Sequence, residues 1–300
     1  MKPIFGGGSG AAMPFPRPAT GGRITVVKIG GSILFGAGPN AAKPSPQRYV
    51  TEAPGRGPLE PQPGTRLEPS LVEAVARARQ RGEGWVLVHG GGKALTGLLG
   101  RLGVETEFRQ GLRVTTPAAL QAAVMALAGE VNTALVAALN AGGVAAVGLT
   151  GLDGGCMQAR RAGGEMGAVG LEPRAEGGLM RRLLDAGYTP VLASLASDGA
   201  GGVLNVNADL FAAAIAGALG AERLLFATDV AGVLDASGAA LATASVGELA
   251  ALRGAGILRG GMLPKADACR AALAAGVSEV HILGPEAWAA ATLAGTQVTP

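Results

Sequence analysis

The sequence predicts an α/β fold in which a parallel sheet carries helices on both faces. Short β-branched runs alternate with stretches of helical periodicity along most of the 300 residues, the mark of strand–helix–strand units. Several of the strand-like runs break into glycines that lead directly into a helix. The composition agrees. The chain is 48% hydrophobic with 51 glycines and only 3% aromatic residues, and small residues let strands and helices pack closely in layers.

The first strand is expected at 24–29 in ITVVKIGGS, where Lys28 interrupts a β-branched run that Gly30, Gly31 and Ser32 then break. A lysine in a buried strand loses its hydration unless it faces an anion. The glycines permit close backbone approach and leave N–H groups pointing outward. Together they point to a phosphate at this strand's end. Residues 1–22 are Gly/Pro-rich and expected to form a disordered tail; GGGSG there has no strand before it and no helix after it. After the strand, 35–69 reads as a Pro/Gly-studded insertion without periodicity, starting beside the expected site.

Ser70 is expected to cap a helix over 70–82, with Glu73 completing a capping box and Gly82 as its stop. A strand at 85–89 runs through His89 into Gly90, Gly91 and Gly92 and a helix at 93–102. Such a turn offers an anion free N–H groups and the positive end of a helix dipole. It is not a Walker A loop, because Leu87 and Ala94 stand where that loop carries Gly and Ser or Thr. EFRQGLRVT at 107–115 reads as a strand pair around Gly111, with Arg113 on the return strand. Thr116 and Pro117 open a long helix that ends at Gly142 and Gly143.

A strand at 144–149, a hairpin-like region at 156–171, a helix at 178–186 and a strand at 189–193 follow. Asn207 then caps an apolar helix whose first turn holds Asp209. A strand at 223–228 and a helix near 246–252 lead to a helix opened by Pro264, with Lys265 at its N-terminus. A cation there opposes the helix dipole, so its placement also points to a bound anion. A last strand at 277–282 and a short helix complete the pattern.

Composition excludes several classes. Net charge is +3, the arginines are scattered and aromatics are few, so no nucleic-acid partner is expected. Cys156 and Cys269 have no metal-ligand spacing and His89 and His281 do not complete one, so no protein-held metal is expected; buried free thiols suit a reducing cytoplasm. No apolar segment is expected to reach the ~20 residues of a membrane span. The N-terminus lacks the continuous apolar stretch of a signal peptide. A cytoplasmic protein is expected.

Two lysines, two glycine cradles and the carboxylate of Asp209 suit phosphoryl transfer, which needs charge neutralisation and alignment more than covalent chemistry. No Ser/His/Asp or Cys/His arrangement competes. A carboxylate acceptor would need no general base.

The motifs KIGGS (28–32), VHGGG (88–92), GLRVT (111–115), LAGEVN (127–132), AVGLTGLDG (146–154), NVNAD (205–209), TDVAGVLD (228–235) and GGMLPK (260–265) carry a resemblance. In this order the chain resembles the amino acid kinase family, its acetylglutamate kinase branch most of all. The resemblance implies an open three-layer αβα sandwich with a mostly parallel central sheet. It implies an acyl-amino-acid lobe at 23–195 and an ATP lobe at 196–300. It also implies roles: Lys28 and Lys265 stabilise the transferring phosphoryl group, and Asp209 holds both lysines. Gly30, Gly91 and Gly92 donate N–H groups, and Arg113 and Asn205 grip the amino-acid substrate. Asp229, Val230, Ala231, Gly232, Val233, Leu234, Ile257, Leu258 and Arg259 line the nucleotide. ATP would come with Mg²⁺ held mainly by its phosphates.

The reaction implied is phosphorylation of the side-chain carboxylate of N-acetyl-L-glutamate. The rivals are a kinase of a modified α-aminoadipate, suggested by the pair Arg160 and Arg161, and a non-catalytic sensor on the same fold. Two departures from the arginine-inhibited members stand out: a Gly/Pro tail instead of an N-terminal helix, and a different C-terminal segment. They imply weak or absent arginine feedback and a homodimer built on the long 117–140 helix region.

Overall fold

The computed structural model describes residues 22–30, 67–109, 111–289 and 293–300. The expected tail up to residue 21, Gly31, Ser32 and the insertion up to residue 66 lie outside the described residues. The chain runs β1 (Ile24–Ile29), α1 (Pro69–Gln80), β2 (Gly84–His89), α2 (Gly92–Arg101), β3 (Phe108–Arg109) and β4 (Leu112–Arg113). One long helix follows as α3 (Pro117–Val124), a π-helical stretch (Met125–Val131) and α4 (Asn132–Ala141). Next come β5 (Ala146–Thr150), β6 (Met157–Arg161), β7 (Val169–Ala175), α5 (Gly178–Asp185), β8 (Thr189–Ala193), β9 (Leu195–Ser197) and β10 (Val203–Val206). Then follow α6 (Ala208–Leu219), β11 (Arg223–Ala227), β12 (Thr243–Ser245) and α7 (Val246–Gly254). The end of the chain holds α8 (Met262–Ala274), β13 (Glu279–Leu283), α9 (Pro285–Ala289) and β14 (Gly295–Thr299).

Among the described residues eight strands form the central sheet, in the order β12-β14-β13-β11-β1-β2-β8-β5. Every neighbouring pair is parallel except β13 and β14, so the expected mostly parallel sheet is what forms. Alternation along each strand sends successive side chains to opposite faces. Val26, Val86, Val88 and Leu192 join a core with Phe211 and Ile215 of α6 and Ala268 and Ala272 of α8. Val27, Ile29, Leu87 and Val191 face the other way, against Leu71 and Val75 of α1 and Leu135 and Leu139 of α4. That is the three-layer αβα arrangement. By the same alternation Lys28 shares a face with Val26, towards α6 and α8.

Several local expectations are corrected. Ser70 does not cap α1: Pro69 stands at the first turn, Glu68 is the cap without a side-chain hydrogen bond, and Glu73 pairs with Arg77 instead. Proline pre-sets the helical φ at that position and lacks an N–H that would go unpaired anyway. Pro264 does not open α8, which starts at Met262 after Gly261; proline is tolerated in a first turn because no intrahelical donor is needed there. The 144–149 strand begins later because the Val144 N–H donates to the Leu139 carbonyl and closes α4. The 277–282 strand is delayed likewise by Val277 N–H on Ala272. Leu67, inside the expected insertion, is buried in the core beside Leu71 and Val75 of α1.

One expectation of absence also changes. The helix Pro117–Ala141 spans 25 residues and is long and apolar enough to cross a membrane, contrary to the sequence reading. Its Leu127, Val131, Leu135 and Leu139 are buried in the protein core, where Asn132 is buried too. It is a core helix with one open face. Beside the main sheet, β6, β7, β9 and β10 close into a four-stranded barrel that the sequence did not foretell.

Candidate active site

The C-terminal ends of β1 and β2 and the residues after β11 open on a cavity of about 880 Å³. Loops at the carboxyl ends of parallel strands are where an open α/β sheet binds ligands, at the point where strand order reverses. Strand order reverses at β1, which has β11 on one side and β2 on the other. The turns opening α2, α6 and α8 all reach this cavity, through Gly91 and Gly92, Ala208 and Asp209, and Gly261 and Met262.

The centre is a buried charge cluster. Asn207 caps α6, its Oδ1 accepting from the Asp209 and Leu210 N–H groups at 2.9 and 3.1 Å. This fixes the first turn and holds Asp209 towards β1. Asp209 Oδ1 accepts from Lys28 Nζ at 3.0 Å and from Lys265 Nζ at 3.0 Å. Lys265 reaches it from the first turn of α8, with its ammonium 5.0 Å from the centre of the Phe226 ring. Burial lowers the pKa of Lys28, the Asp209 carboxylate pulls it back up and Lys265 pushes it down again. For Asp209 burial acts upward, but the two ammonium groups outweigh it and hold the carboxyl at about 2. Two cations on one carboxylate leave one positive charge in excess, which an incoming anion would neutralise. Asp229 adds a weaker negative influence on Lys28.

The depressed Asp209 pKa gives a sign for acid stability. A carboxyl at about 2 in the fold against 3.8 ordinarily stabilises the protein above pH 3.8, and that stabilisation is lost as pH falls through 2. The stability gap between wild type and Asp209→Asn at neutral pH is expected to shrink over that range. Denaturant unfolding at pH 6 and pH 3 measures it; a gap that widens on acidification contradicts the cluster.

The glycine cradles are shaped by contact. The Gly30 N–H donates to Ala227 O at 2.9 Å, and a Cβ on Gly30 would sit 2.7 Å from that same oxygen. A Cβ on Gly91 would collide with Leu127 of the π-helical stretch. Among the described residues no side chain caps α2. Arg113 is held by two neighbours: its Nη2 donates to Thr96 Oγ1 at 2.7 Å, and its guanidinium lies 4.5 Å from the centre of the Phe108 ring. Its Nη1 is buried with no hydrogen-bond partner among the described residues. An orphaned guanidinium donor at a cavity wall suits a carboxylate ligand. Asn205 donates from Nδ2 to Thr115 Oγ1 at 3.2 Å on the barrel side of the cavity.

Of the residues named from sequence, Lys28, Lys265, Asp209, Gly30, Gly91, Gly92, Arg113, Asn205, Asp229, Val230 and Arg259 line this one cavity. Ala231, Gly232, Val233, Leu234, Ile257 and Leu258 do not. Val233 and Leu258 are buried in the core, and Gly232 presses on Thr296 of β14, whose Oγ1 accepts from the Val233 N–H at 2.8 Å. These residues hold the loop that Asp229 and Val230 present. Arg160 and Arg161 do not line it either; they pair with Glu172 and Asp198 at exposed positions. Sequence reasoning missed Lys93, Thr96, Phe108 and Ser194 on the wall. Lys93 had a signal: a cation in the first turn of α2, unfavourable there for the reason given for Lys265.

The αβα fold and a lysine–carboxylate–lysine cluster at the sheet's switch point define a small-molecule kinase. Residues 23–284 match the model of the Amino acid kinase family, and the chain belongs to that family. Among its relatives is the acetylglutamate kinase of Synechococcus sp. (strain RCC307), 41% identical over 221 residues that cover 72% of this chain and 75% of the relative. The acetylglutamate kinase of Solibacter usitatus (strain Ellin6076) is 42% identical over 213 residues, covering 71% and 83%. In structure the chain is similar to smu.665 from Streptococcus mutans UA159, with a TM-score of 0.76 and 27% identity over 92% of this chain and 98% of that one.

Proposed function

We propose that the chain catalyses transfer of the γ-phosphoryl group of ATP to the side-chain carboxylate of N-acetyl-L-glutamate, the acetylglutamate kinase reaction of arginine biosynthesis. The observation that carries this reading is the pair of lysines on one Asp209 oxygen, facing a cavity that also holds Arg113 and two glycine turns. The reacting carboxylate is already ionised, so no general base is required, and the two lysines neutralise charge as the phosphoryl group passes between oxygens. Asp209 fixes their positions beforehand. Gly91 and Gly92 donate backbone N–H groups, whereas the Gly30 N–H, expected from the sequence to donate as well, is engaged by Ala227 O; Arg113 and Asn205 hold the α-carboxylate and amide. Asp229, Val230 and Arg259 face the nucleotide. Among the described residues the cavity carboxylates are Asp229 and an Asp209 already engaged by both lysines, a donor set that suits Mg²⁺ held mainly by ATP phosphates and water.

Two lobes follow from the same reading. β1, β2, β8 and β5 come from 23–195, and β11, β13, β14 and β12 from 196–300, so the sheet divides cleanly between β1 and β11. The amino acid would sit on the first lobe and ATP on the second, in a cytoplasmic enzyme. Relatives at 41–42% identity carry the acetylglutamate kinase name, which favours N-acetylglutamate over an aminoadipate derivative.

Arg113→Ala is expected to raise KM for N-acetylglutamate by roughly 10- to 100-fold, the worth of one charged hydrogen bond, with kcat little changed. Steady-state kinetics in both substrates check it; a KM change for ATP alone contradicts the assignment. The open face of the long helix carries Met125, 58% exposed, and Val124, 38% exposed. A dimer on that face would cover them, so Met125→Glu is expected to convert a dimer to a monomer by light scattering. An unchanged mass for the variant places the interface elsewhere.

A further inference from the structure

His89 ends β2, is fully buried and does not line the cavity, yet it abuts the first glycine of the cradle. Its Nδ1 lies 2.8 Å from the Gly90 carbonyl, and its Nε2 lies 2.9 Å from Asn132 Nδ2. The Asn132 amide settles which nitrogen carries the proton. Its Nδ2 also donates to the Val191 carbonyl at 2.9 Å, so it must be an NH₂ group, and Nε2 must accept from it. The proton is therefore on Nδ1, which donates to Gly90 O. Burial pushes the imidazole down to about 4, so it stays neutral with one donor and one acceptor. Asn132 directly follows the π-helical stretch, and that stretch supplies Leu127 beneath Gly91. Such insertions in helices recur at functional sites.

We propose that His89 is a positioning residue: held in one tautomer by Asn132, it fixes the Gly90 carbonyl and thereby aims the Gly91 and Gly92 N–H groups at the transferring phosphoryl group. The inference rests on the proposed kinase reading for its consequence in turnover. Its geometric content does not depend on that reading.

Two substitutions separate the Gly90 contact from simple loss of the ring. An asparagine amide places an N–H where Nδ1 stood, whereas a glutamine amide reaches the Nε2 position and leaves Gly90 without its donor. His89→Gln is expected to lower kcat/KM by roughly 10- to 100-fold. His89→Asn should retain at least about ten times the kcat/KM of His89→Gln, although it gives up the Asn132 contact. In the free protein, the backbone amide resonances of Gly91 and Gly92 should shift in His89→Gln and stay near wild type in His89→Asn. Should both fail to fold, Asn132→Ala, which frees the tautomer, is expected to shift the same two resonances. Equal losses in the two histidine variants, or unmoved glycine resonances in His89→Gln or Asn132→Ala, overturn the inference. A wild type without acetylglutamate turnover counts against the reaction alone, because the resonances need no substrate.

Discussion

Lys265→Ala lowers kcat by roughly 10²- to 10³-fold, the expected result of removing one preorganised cation from a developing charge. Lys28→Ala behaves alike. KM for ATP moves by no more than a few-fold, because each ammonium matters most when the phosphoryl group is between donor and acceptor. The structure explains why both variants should still fold: each leaves Asp209 paired with the other lysine at 3.0 Å. Neither loss creates an unpaired buried charge, so the defect should appear in catalysis and not in the melting curve. Initial rates at saturating ATP and acyl amino acid measure it. Either variant turning over near the wild-type rate removes that lysine from the transition state.

Asp209→Asn should hurt both function and stability. The amide leaves two buried ammonium groups facing each other, with side chains only 13% and 6% exposed. Removing one partner of such a set costs about 3 kcal/mol, the low end for a broken buried pair, and lowers the melting temperature. Turnover is expected to fall by roughly 100-fold, because two mutually repelling lysines no longer converge on one point. Pyrophosphate should raise the melting temperature of Asp209→Asn more than that of the wild type, since an anion replaces the missing charge. A variant with unchanged kcat and unchanged melting temperature would make Asp209 a bystander.

The residues whose local rules conflict with their positions were the ones legible in the sequence. Lys28 in an apolar strand and Lys265 in a helix's first turn are each unfavourable alone, and the fold resolves both by bringing Asp209 between them. Long periodic stretches such as α4 and α6 announced themselves by apolar spacing and glycine stops. The three- and four-residue strands β9, β10 and β12 did not, because so short a run holds too little alternation to register. The barrel that β9 and β10 help to build was therefore invisible, and with it the wall that Ser194 forms. A loop motif such as TDVAGVLD also hides a division of labour. Asp229 reaches the cavity while Val233 anchors the loop on Thr296, and only the three-dimensional contact distinguishes them.

The most direct test incubates the protein with ATP, Mg²⁺ and N-acetyl-L-glutamate in hydroxylamine, which converts an acyl phosphate to a hydroxamate. The account predicts hydroxamate and ADP in equal amounts, with N-acetyl-aminoadipate a poor substitute. ADP formation without hydroxamate, preference for the aminoadipate, or no turnover by wild-type protein would contradict it.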